Sequence, residues 1–552
     1  MMRRVLPHFM LSLAALAACS GLTQAYIVGG PRGLEEMTKQ ADIIFKGTAL
    51  ASEAVQDDQL APLGSHVAWE TQFKVVSVIK GDKPGDKVGF RHYDTNPEPH
   101  RLACMYFPQS YRFEKGRTYI IFAKKHTPNG PLRQVWTHHT TKGDEGSLLC
   151  GDDKPVAGAT VKDIYWAELT ALLASTRAGD ATYALGQLDQ MSGAPSEFGF
   201  GYSARADFDR KEVLALEQKM MTHPDPKIAQ AAIRLLGSGN PYLSDVYALY
   251  WLNAVGGAVE RNSLGMDPAM QNEGGAIYWK DLIAVAEGNA AGETRAAAIR
   301  ALGLVREPAI LHPLGRWLAD PSPAVRSSSA LLLADFPGPE TQKRLAALAG
   351  DAVPEVRVCA ARAAGFMQQA AMADVMASLL KDVDQKVRQA AAMSLLSYSP
   401  KDETIAAVFK ANVDNEEFKP LFLNALAREN ATPYLEALSQ VVKEDTMPAN
   451  WWGGSSPRWV ARDILFKYVQ AQPAGNVRVG ALDGSLDALE VVEDFGPSQV
   501  RDLYAFYLQR GMPTRAAKFR LEAIRKTEER DRANLTRELN ALDANPLPHG
   551  RD

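Results

Sequence analysis

The feature that most limits what this chain can fold into is a unit written five times between about Asn289 and Arg428: EGNAAGETRAAAIRALG, LADPSPAVRSSSALLLADF, AGDAVPEVRVCAARAAGF, LKDVDQKVRQAAAMSLLSY and ANVDNEEFKPLFLNALA. Its anchor cations are Arg295, Arg326, Arg357, Arg388 and Lys419, each 31 residues after the last (326−295 through 419−388). A fixed period between about 20 and 50 residues marks a stacked repeat, in which no unit buries its own apolar face and each takes its core from its neighbours. The stretch therefore predicts a solenoid, not a globule.

The residue before each anchor, then those three and seven after it, read Val325, Ser329, Leu333; Val356, Ala360, Ala364; Val387, Ala391, Leu395; and Phe418, Phe422, Leu426. That i, i+4, i+8 spacing puts a small-to-apolar stripe down one helix face. Asp320, Asp351 and Asp382 stand just ahead as caps or first-turn acids, with Pro321, Pro323 and Pro354 where helix starts tolerate proline. A second helix in each unit is expected to pack through Leu314 with Leu318, Leu345 with Leu348, and Val375 with Leu379. An Asp, then Val-Arg and an Ala-rich helix often carrying a Gly, as in VRSSSALLLADF, VRVCAARAAGF and VRQAAAMSLLSY, resembles the HEAT-like repeats in the short form first recognised in phycobilisome lyases. Tetratricopeptide and ankyrin readings fail because neither the Trp-Leu-Gly-Tyr pattern nor Thr-Pro-Leu-His is present.

At 552 residues the chain is longer than one core normally serves, so two or three regions are expected. A formal charge of −4 gives no electrostatic reason to expect nucleic acid. The start, MMRRVLPHFMLSLAALAAC, sets Arg3 and Arg4 before an apolar run too short to span a bilayer, which reads as an export signal. Leu16-Ala17-Ala18-Cys19 resembles the bacterial lipobox, and Thr23-Gln24-Ala25 before Tyr26 resembles an ordinary cleavage site. The lipobox is the preferred reading, with Cys19 as lipid attachment point and a periplasmic or outer-membrane location. The alternative is a secreted protein. No later apolar run is long enough to span, so membrane contact is expected only through such an anchor.

From Tyr26 to about Ala159 the pattern turns to short β-rich runs: ADIIFKGTAL, ETQFKVVSVIKG, DKVGFRHYD and RTYIIFAKK, with turn signals at Gly64-Ser65, Gly81-Asp82, Pro84-Gly85 and Pro128-Asn129-Gly130. A short helix over Gly33 to Lys39 precedes them, and the set fits a small, mostly antiparallel barrel. Ala41 to Gly47, Phe73-Lys74-Val75 leading to Ile79-Lys80-Gly81, Cys104, Phe113 to Gly116, Tyr119 to Ala123 and Leu149-Cys150 together resemble the netrin-like, OB-type fold of tissue inhibitors of metalloproteinases, in the divergent form of bacterial exported proteins. The resemblance implies a disulfide between Cys104 and Cys150, and in an oxidising compartment a closed loop of about 45 residues would add roughly 3 to 4 kcal/mol. It departs from the animal inhibitors at their zinc-chelating Cys-x-Cys start: Cys19 is followed by Ser20-Gly21. The remaining cysteine, Cys359, falls in the slot held by Ser328 and Ala390 and is expected to be an inert buried thiol.

The expected organisation is an export signal over 1–25, the barrel over 26–162, a helix and linker over 163–207, an all-α HEAT-like solenoid over 208–480 and a helical cap over 481–552. The helix runs from Asp163 to about Arg177, and the Gly- and Ser-rich stretch from Ser192 to Asp207 is the linker. His223 to Gly237 reads as an earlier repeat start, set 66 residues before the first regular anchor (295−229) by an insertion near Gly256 to Gly275. The charged tail from Pro513 to Leu542 is expected to cap the array.

A His-Glu-x-x-His motif, a P-loop and a Gly-x-Ser-x-Gly elbow are all absent. Gly199 to Ala204 fits a dinucleotide fingerprint only formally, since no strand precedes it. His138 and His139, with His126 and His100, are read as exposed strand residues rather than metal ligands, because neighbours on a strand face opposite ways. No catalytic residue, cofactor or metal is expected. The anchor column, with Arg326, Arg357 and Arg388 at its centre, is either a surface for an acidic partner or, in the favoured reading, a structural ladder with Asp320, Asp351 and Asp382. Trp451 and Trp452 in a Gly/Ser loop are the preferred contact residues, since aromatics concentrate at binding hot spots. The functional expectation is a non-catalytic exported scaffold that binds a protein or peptide. The alternative is a protease inhibitor acting through the barrel.

Overall fold

The computed structural model describes residues 33–56, 66–95, 111–126, 130–135, 146–193 without 157, 206–237, 272–443 without 399 and 416, 457–471, and a few positions between 504 and 536. The chain divides into two compact units, one of residues 1–243 with 265–329 and the other of 244–264 with 330–552.

The first unit opens with the short helix α1 (Leu34–Gln40) and six strands: β1 (Ile43–Val55), β2 (His66–Lys80), β3 (Lys87–Thr95), β4 (Thr118–Lys124), β5 (Leu132–Gln134) and β6 (Ser147–Cys150). Their order is β1-β2-β3-β5-β4, closed by β4 pairing back onto β1, with β6 sharing the other edge of β4 with β5. All pairings are antiparallel except β3 with β5. This is a five-stranded barrel of OB-like topology. Closure covers the β1 edge from Ile43 to Thr48, and three register shifts along the β1–β2 ladder supply the bending it needs.

Alternation on β1 sends Ile43, Phe45 and Ala49 inward against Phe73, Phe90, Tyr119 and Ile121. The rings meet edge to face, Phe73 lying 5.8 Å from Phe45 and 5.1 Å from Phe113. β4 is buried on both faces because its outward Phe122 packs 5.9 Å from Tyr165 of α2 (Val161–Leu172). The turn expected at Gly81-Asp82 needs its glycine: φ is +82°, and a Cβ there would lie 2.4 Å from the Asp42 carbonyl oxygen.

The helix expected over Asp163 to Arg177 is α2, which ends at Leu172, and a second helix that was not expected follows it. α2 starts at a capping box, Thr160 and Asp163 satisfying each other's backbone N–H, and α3 (Ala178–Met191) follows. The buried positions Ala181, Ala184, Leu185 and Leu188 of α3 carry helical spacing, but Gly179 and Gly186 dilute the signal in the sequence. α4 (Arg210–Met220) and α5 (Pro226–Leu236) come next, α3 packing on α5. After residue 272 the unit continues with α6 (Glu273–Glu287), α7 (Gly292–Ala301) and α8 (Leu311–Trp317). The helix α9 (Pro323–Leu332) contains the division between the units.

The second unit holds α10 (Pro339–Leu348), α11 (Pro354–Met367), α12 (Ala373–Leu379), α13 (Gln385–Leu396), α14 (Glu403–Ala411), α15 (Lys419–Glu429), α16 (Leu435–Lys443) and α17 (Pro457–Ala471). The stripe residues are buried in every unit: Val356, Ala360 and Ala364; Val387, Ala391 and Leu395; Phe418, Phe422 and Leu426. Prolines occupy the first turns of α9, α10, α11 and α15, where no intrahelical N–H is lost. Gly365 lets α11 and α13 approach closely, a Cβ there lying 2.8 Å from Ser394 Cβ, and Tyr398 donates to the Ala364 carbonyl at 2.6 Å.

Two core contacts differ from expectation. Trp317 and Met376 are the fully buried residues, while Leu318 and Val375 are half-buried. Each shift is one residue, because the direction of a short helix is set by its packing and not by its own periodicity. Cys359 is half-buried rather than buried.

Candidate interaction surface

The loops that precede α9, α11 and α13 are built alike. A carboxylate opens each: Asp320 accepts from Ser322 N at 2.9 Å, Asp351 from Val353 N at 2.9 Å and Asp382 from Asp384 N at 2.8 Å. The anchor arginine six residues later turns back onto its own loop. Nη1 donates to Asp320 O at 2.8 Å from Arg326, to Asp351 O at 2.9 Å from Arg357 and to Asp382 O at 2.9 Å from Arg388. In each case the carbonyl of the following residue, Pro321, Ala352 or Val383, accepts a second, longer bond.

Remaining guanidinium donors reach the next loop. Arg295 holds Asp320 at 2.7 and 3.0 Å, Arg357 holds Asp382 at 2.7 and 2.7 Å, and Arg388 holds Glu417 at 2.7 and 3.4 Å. The last partner changes because Val413 stands where the repeat would carry its Asp, so the carboxylate comes from four residues further on. Asp320 and Asp382 titrate below the usual carboxylate range, first because of the hydrogen bonds from Arg295 and Arg357. Arg357 and Asp382 are each 11% exposed, so an acidic partner would have to displace an internal carboxylate to reach that guanidinium. Arg295, Arg357 and Arg388 thus act as braces between loops, and Arg326 ties down its own loop.

The repeat start at α5 has no arginine for this brace. Aligning the Pro226-Lys227-Ile228 start of α5 with Pro323-Ala324-Val325 puts Ala229 at the anchor position and His223 at the loop position of Asp320. His223 copies the aspartate's local role, its Nδ1 accepting from Asp225 N at 3.0 Å. Asn289 stands 31 residues before Asp320 (320−289), where the next loop would present a carboxylate. A groove of about 770 Å³ opens here, lined by Ala229, His223, Pro224 and Asn289 and by the C-terminal ends of α4 and α6. That volume lies within the range of ligand-binding clefts.

The barrel carries two buried polar groups that the sequence reading passed over. Lys46, 1% exposed, donates to Glu168 of α2 at 2.6 Å and to Asp152 at 3.1 Å. Burial pulls its pKa down, but these carboxylates outweigh burial and hold it above the ordinary lysine value. Cys150 lies beside them as a buried free thiol, 3.7 Å from the Leu148 carbonyl, and burial followed by the Glu168 charge pushes its pKa up. His92, 2% exposed, stacks on Phe90 and meets Thr71 Oγ1 at 2.8 Å. Desolvation lowers its pKa to about 4, so it is neutral near pH 7. Buried inside the barrel wall, it is a packing residue.

Cys19, Cys104, Trp451, Trp452, His100, His138, His139 and Gly199 to Ala204 lie outside the described residues, as does most of the tail from Pro513 to Leu542. His126 is exposed at the end of β4. Among the described residues no group of three or more His, Cys, Asp or Glu could hold a metal ion, and no helix is long and apolar enough to cross a membrane. The groove was missed because it needs the α5 start aligned with the regular repeats position by position. The signal was present in Ala229 and Asn289.

Among solved structures, two engineered proteins resemble the chain: one at 19% identity over 44% of this chain and 96% of the other (TM-score 0.26), the second at 15% over 69% and 98% (TM-score 0.29). Yeast importin-β, Kap95p, matches at 12% identity over 68% of this chain and 54% of its own (TM-score 0.36). These scores are too low to carry an argument. No curated protein matches the chain. The HEAT-repeat family profile matches residues 280–357 and 313–396, the stretch that holds the anchor arginines Arg295, Arg326, Arg357 and Arg388. The chain is therefore a small five-stranded barrel followed by a helical region with HEAT-like repeats.

Proposed function

We propose that this chain is a non-catalytic exported scaffold whose HEAT-like helix pairs hold a protein or peptide partner. The observation that carries the reading is the bracing of successive loops by Arg295, Arg357 and Arg388 onto the carboxylates of the following loop. Loops tied in this way present a preorganised surface, and preorganisation lowers the ordering cost of binding. The barrel acts as a positioning module of netrin-like type, joined to α2 by the Lys46–Glu168 pair. Trp451 and Trp452 are the proposed contact residues and Cys19 the lipid attachment point, and Cys150, a free thiol in this structure, is proposed to bridge to Cys104 on oxidation.

Crosslinking in the intact cell envelope, followed by identification of the partner and direct binding to the purified full chain, tests the scaffold reading. Replacing both tryptophans with alanine should weaken that binding by several kcal/mol while leaving the helical signal intact. Loss of thermal stability with unchanged binding per folded molecule would assign the rings to packing. Mass spectrometry of the mature N-terminus decides the anchor, an unmodified Tyr26 start rejecting it. A loss of two hydrogens between Cys104 and Cys150 peptides under non-reducing conditions decides the bridge.

A further inference from the structure

From the brace missing at α5, we infer that the groove beside Ala229 is a binding site for an arginine side chain supplied by a partner. The evidence is internal to the chain. At three successive repeats the carbonyls six and five residues before the anchor receive a guanidinium: Asp320 and Pro321, Asp351 and Ala352, Asp382 and Val383. At α5 the equivalent carbonyls belong to His223 and Pro224, and the buried methyl of Ala229 cannot reach them. His223 Nδ1 reproduces the loop hydrogen bond of the aspartates, so the backbone turn is held as in the other loops.

Asn289, which also lines the groove, carries an amide oxygen at the repeat position where Asp320 offers Arg295 a carboxylate. The ends of α4 and α6 that line it are C-terminal ends, whose carbonyls favour a cation. Asp281 contributes a half-buried carboxylate to the wall, and Lys219 is an exposed cation there. A planar guanidinium with several donors suits two adjacent carbonyls and an amide oxygen better than an ammonium does. An incoming arginine would complete the brace from outside, which makes this position selective where the occupied braces are closed. The inference rests on the reading of the helix pairs as a binding surface and gives one chemical feature of the partner.

The purified full chain is titrated by calorimetry, at low salt, with the capped tripeptide acetyl-Gly-Arg-Gly-amide and with its citrulline counterpart, which keeps the shape and loses the charge. The arginine peptide should bind about tenfold tighter or more, as a charge-assisted hydrogen bond implies. Asn289→Asp, which restores a carboxylate, should tighten the arginine peptide several-fold. Ala229→Arg, which completes the brace in cis, should abolish its binding. Equal affinity for the two peptides, no binding of either at millimolar concentration, tighter binding of acetyl-Gly-Glu-Gly-amide, or no change from either substitution would each overturn the inference. The gain expected of Asn289→Asp cannot arise from misfolding. The crosslinking experiment reads the scaffold and this titration reads the groove, so the failure of one is distinguishable from the failure of the other.

Discussion

Replacing Arg357 with alanine removes four hydrogen bonds at once: two to Asp382, both 2.7 Å, one to the Asp351 carbonyl at 2.9 Å and a longer one to the Ala352 carbonyl at 3.4 Å. The partner carboxylate, 11% exposed in the intact pair, loses its hydrogen-bonded guanidinium. Removing one member of a fully buried pair costs roughly 3 to 5 kcal/mol, and an exposed pair is worth under about 1 kcal/mol. For a pair this enclosed at a loop edge, about 2 to 4 kcal/mol is expected. Arg388→Ala should cost less, about 1 to 2 kcal/mol, because Arg388 and Glu417 are 26% and 28% exposed and their second bond is 3.4 Å long. A repeat array does not unfold in one step, so the assay is hydrogen exchange read by mass spectrometry over α11 and α13. Asp382→Ala and the double variant complete a cycle that isolates the pair. A coupling below about 0.5 kcal/mol, or a larger cost for Arg388→Ala, would refute the brace as the source of stability. The pair also sets a pH dependence. Arg357 lowers the Asp382 pKa in the fold, so the unfolded chain binds more protons between the two values. The contribution is complete above the unfolded value of about 3.9 and is lost as pH falls through the folded one, and Arg357→Ala should flatten that acid limb.

Lys46→Met should destabilise the barrel by about 2 to 4 kcal/mol, because Glu168, 12% exposed, loses its 2.6 Å partner; adding Glu168→Leu should recover most of the loss in thermal unfolding. His92 titrates at about 4 in the fold against 6.5 unfolded, so stability present above pH 6.5 falls by about 3 kcal/mol as pH drops to 4; urea midpoints should show it, and His92→Phe should remove the slope whatever its absolute stability. Gly365→Ala should cost about 1 to 2 kcal/mol in denaturant unfolding, a clash with Ser394 exceeding the helix-propensity gain, and Ser394→Gly should relieve it.

The 31-residue period, the Val-Arg anchors and the apolar stripes are local information, repeated until chance is excluded, and they were sufficient for the helix pairs and for which faces are buried. Likewise the runs IIFKGTAL and TYIIFA declare strands, because alternation and β-branched content act within a few residues. Strands β5 and β6, three and four residues long, carry no such signal and exist because β3 and β4 offer them edges.

What each anchor does was not legible in the same way. The column of arginines was visible, but whether it faced a partner or a neighbouring loop depended on where residues 25 positions away in the chain came to rest. Arg388 shows why: with Val413 in place of an aspartate its brace would be lost by the repeat rule, and packing of α13 beside the next loop brings up Glu417 instead. Lys46, on a strand that reads as core, is buried as a cation only because Glu168, 122 residues later, folds over it. Along the stripe helices periodicity fixes which side turns inward, since it is a property of the chain's own geometry, whereas on the short α8 and α12 packing chose between adjacent residues. The partner of a charge is fixed by distance in space, and that distance exists only once the elements have packed.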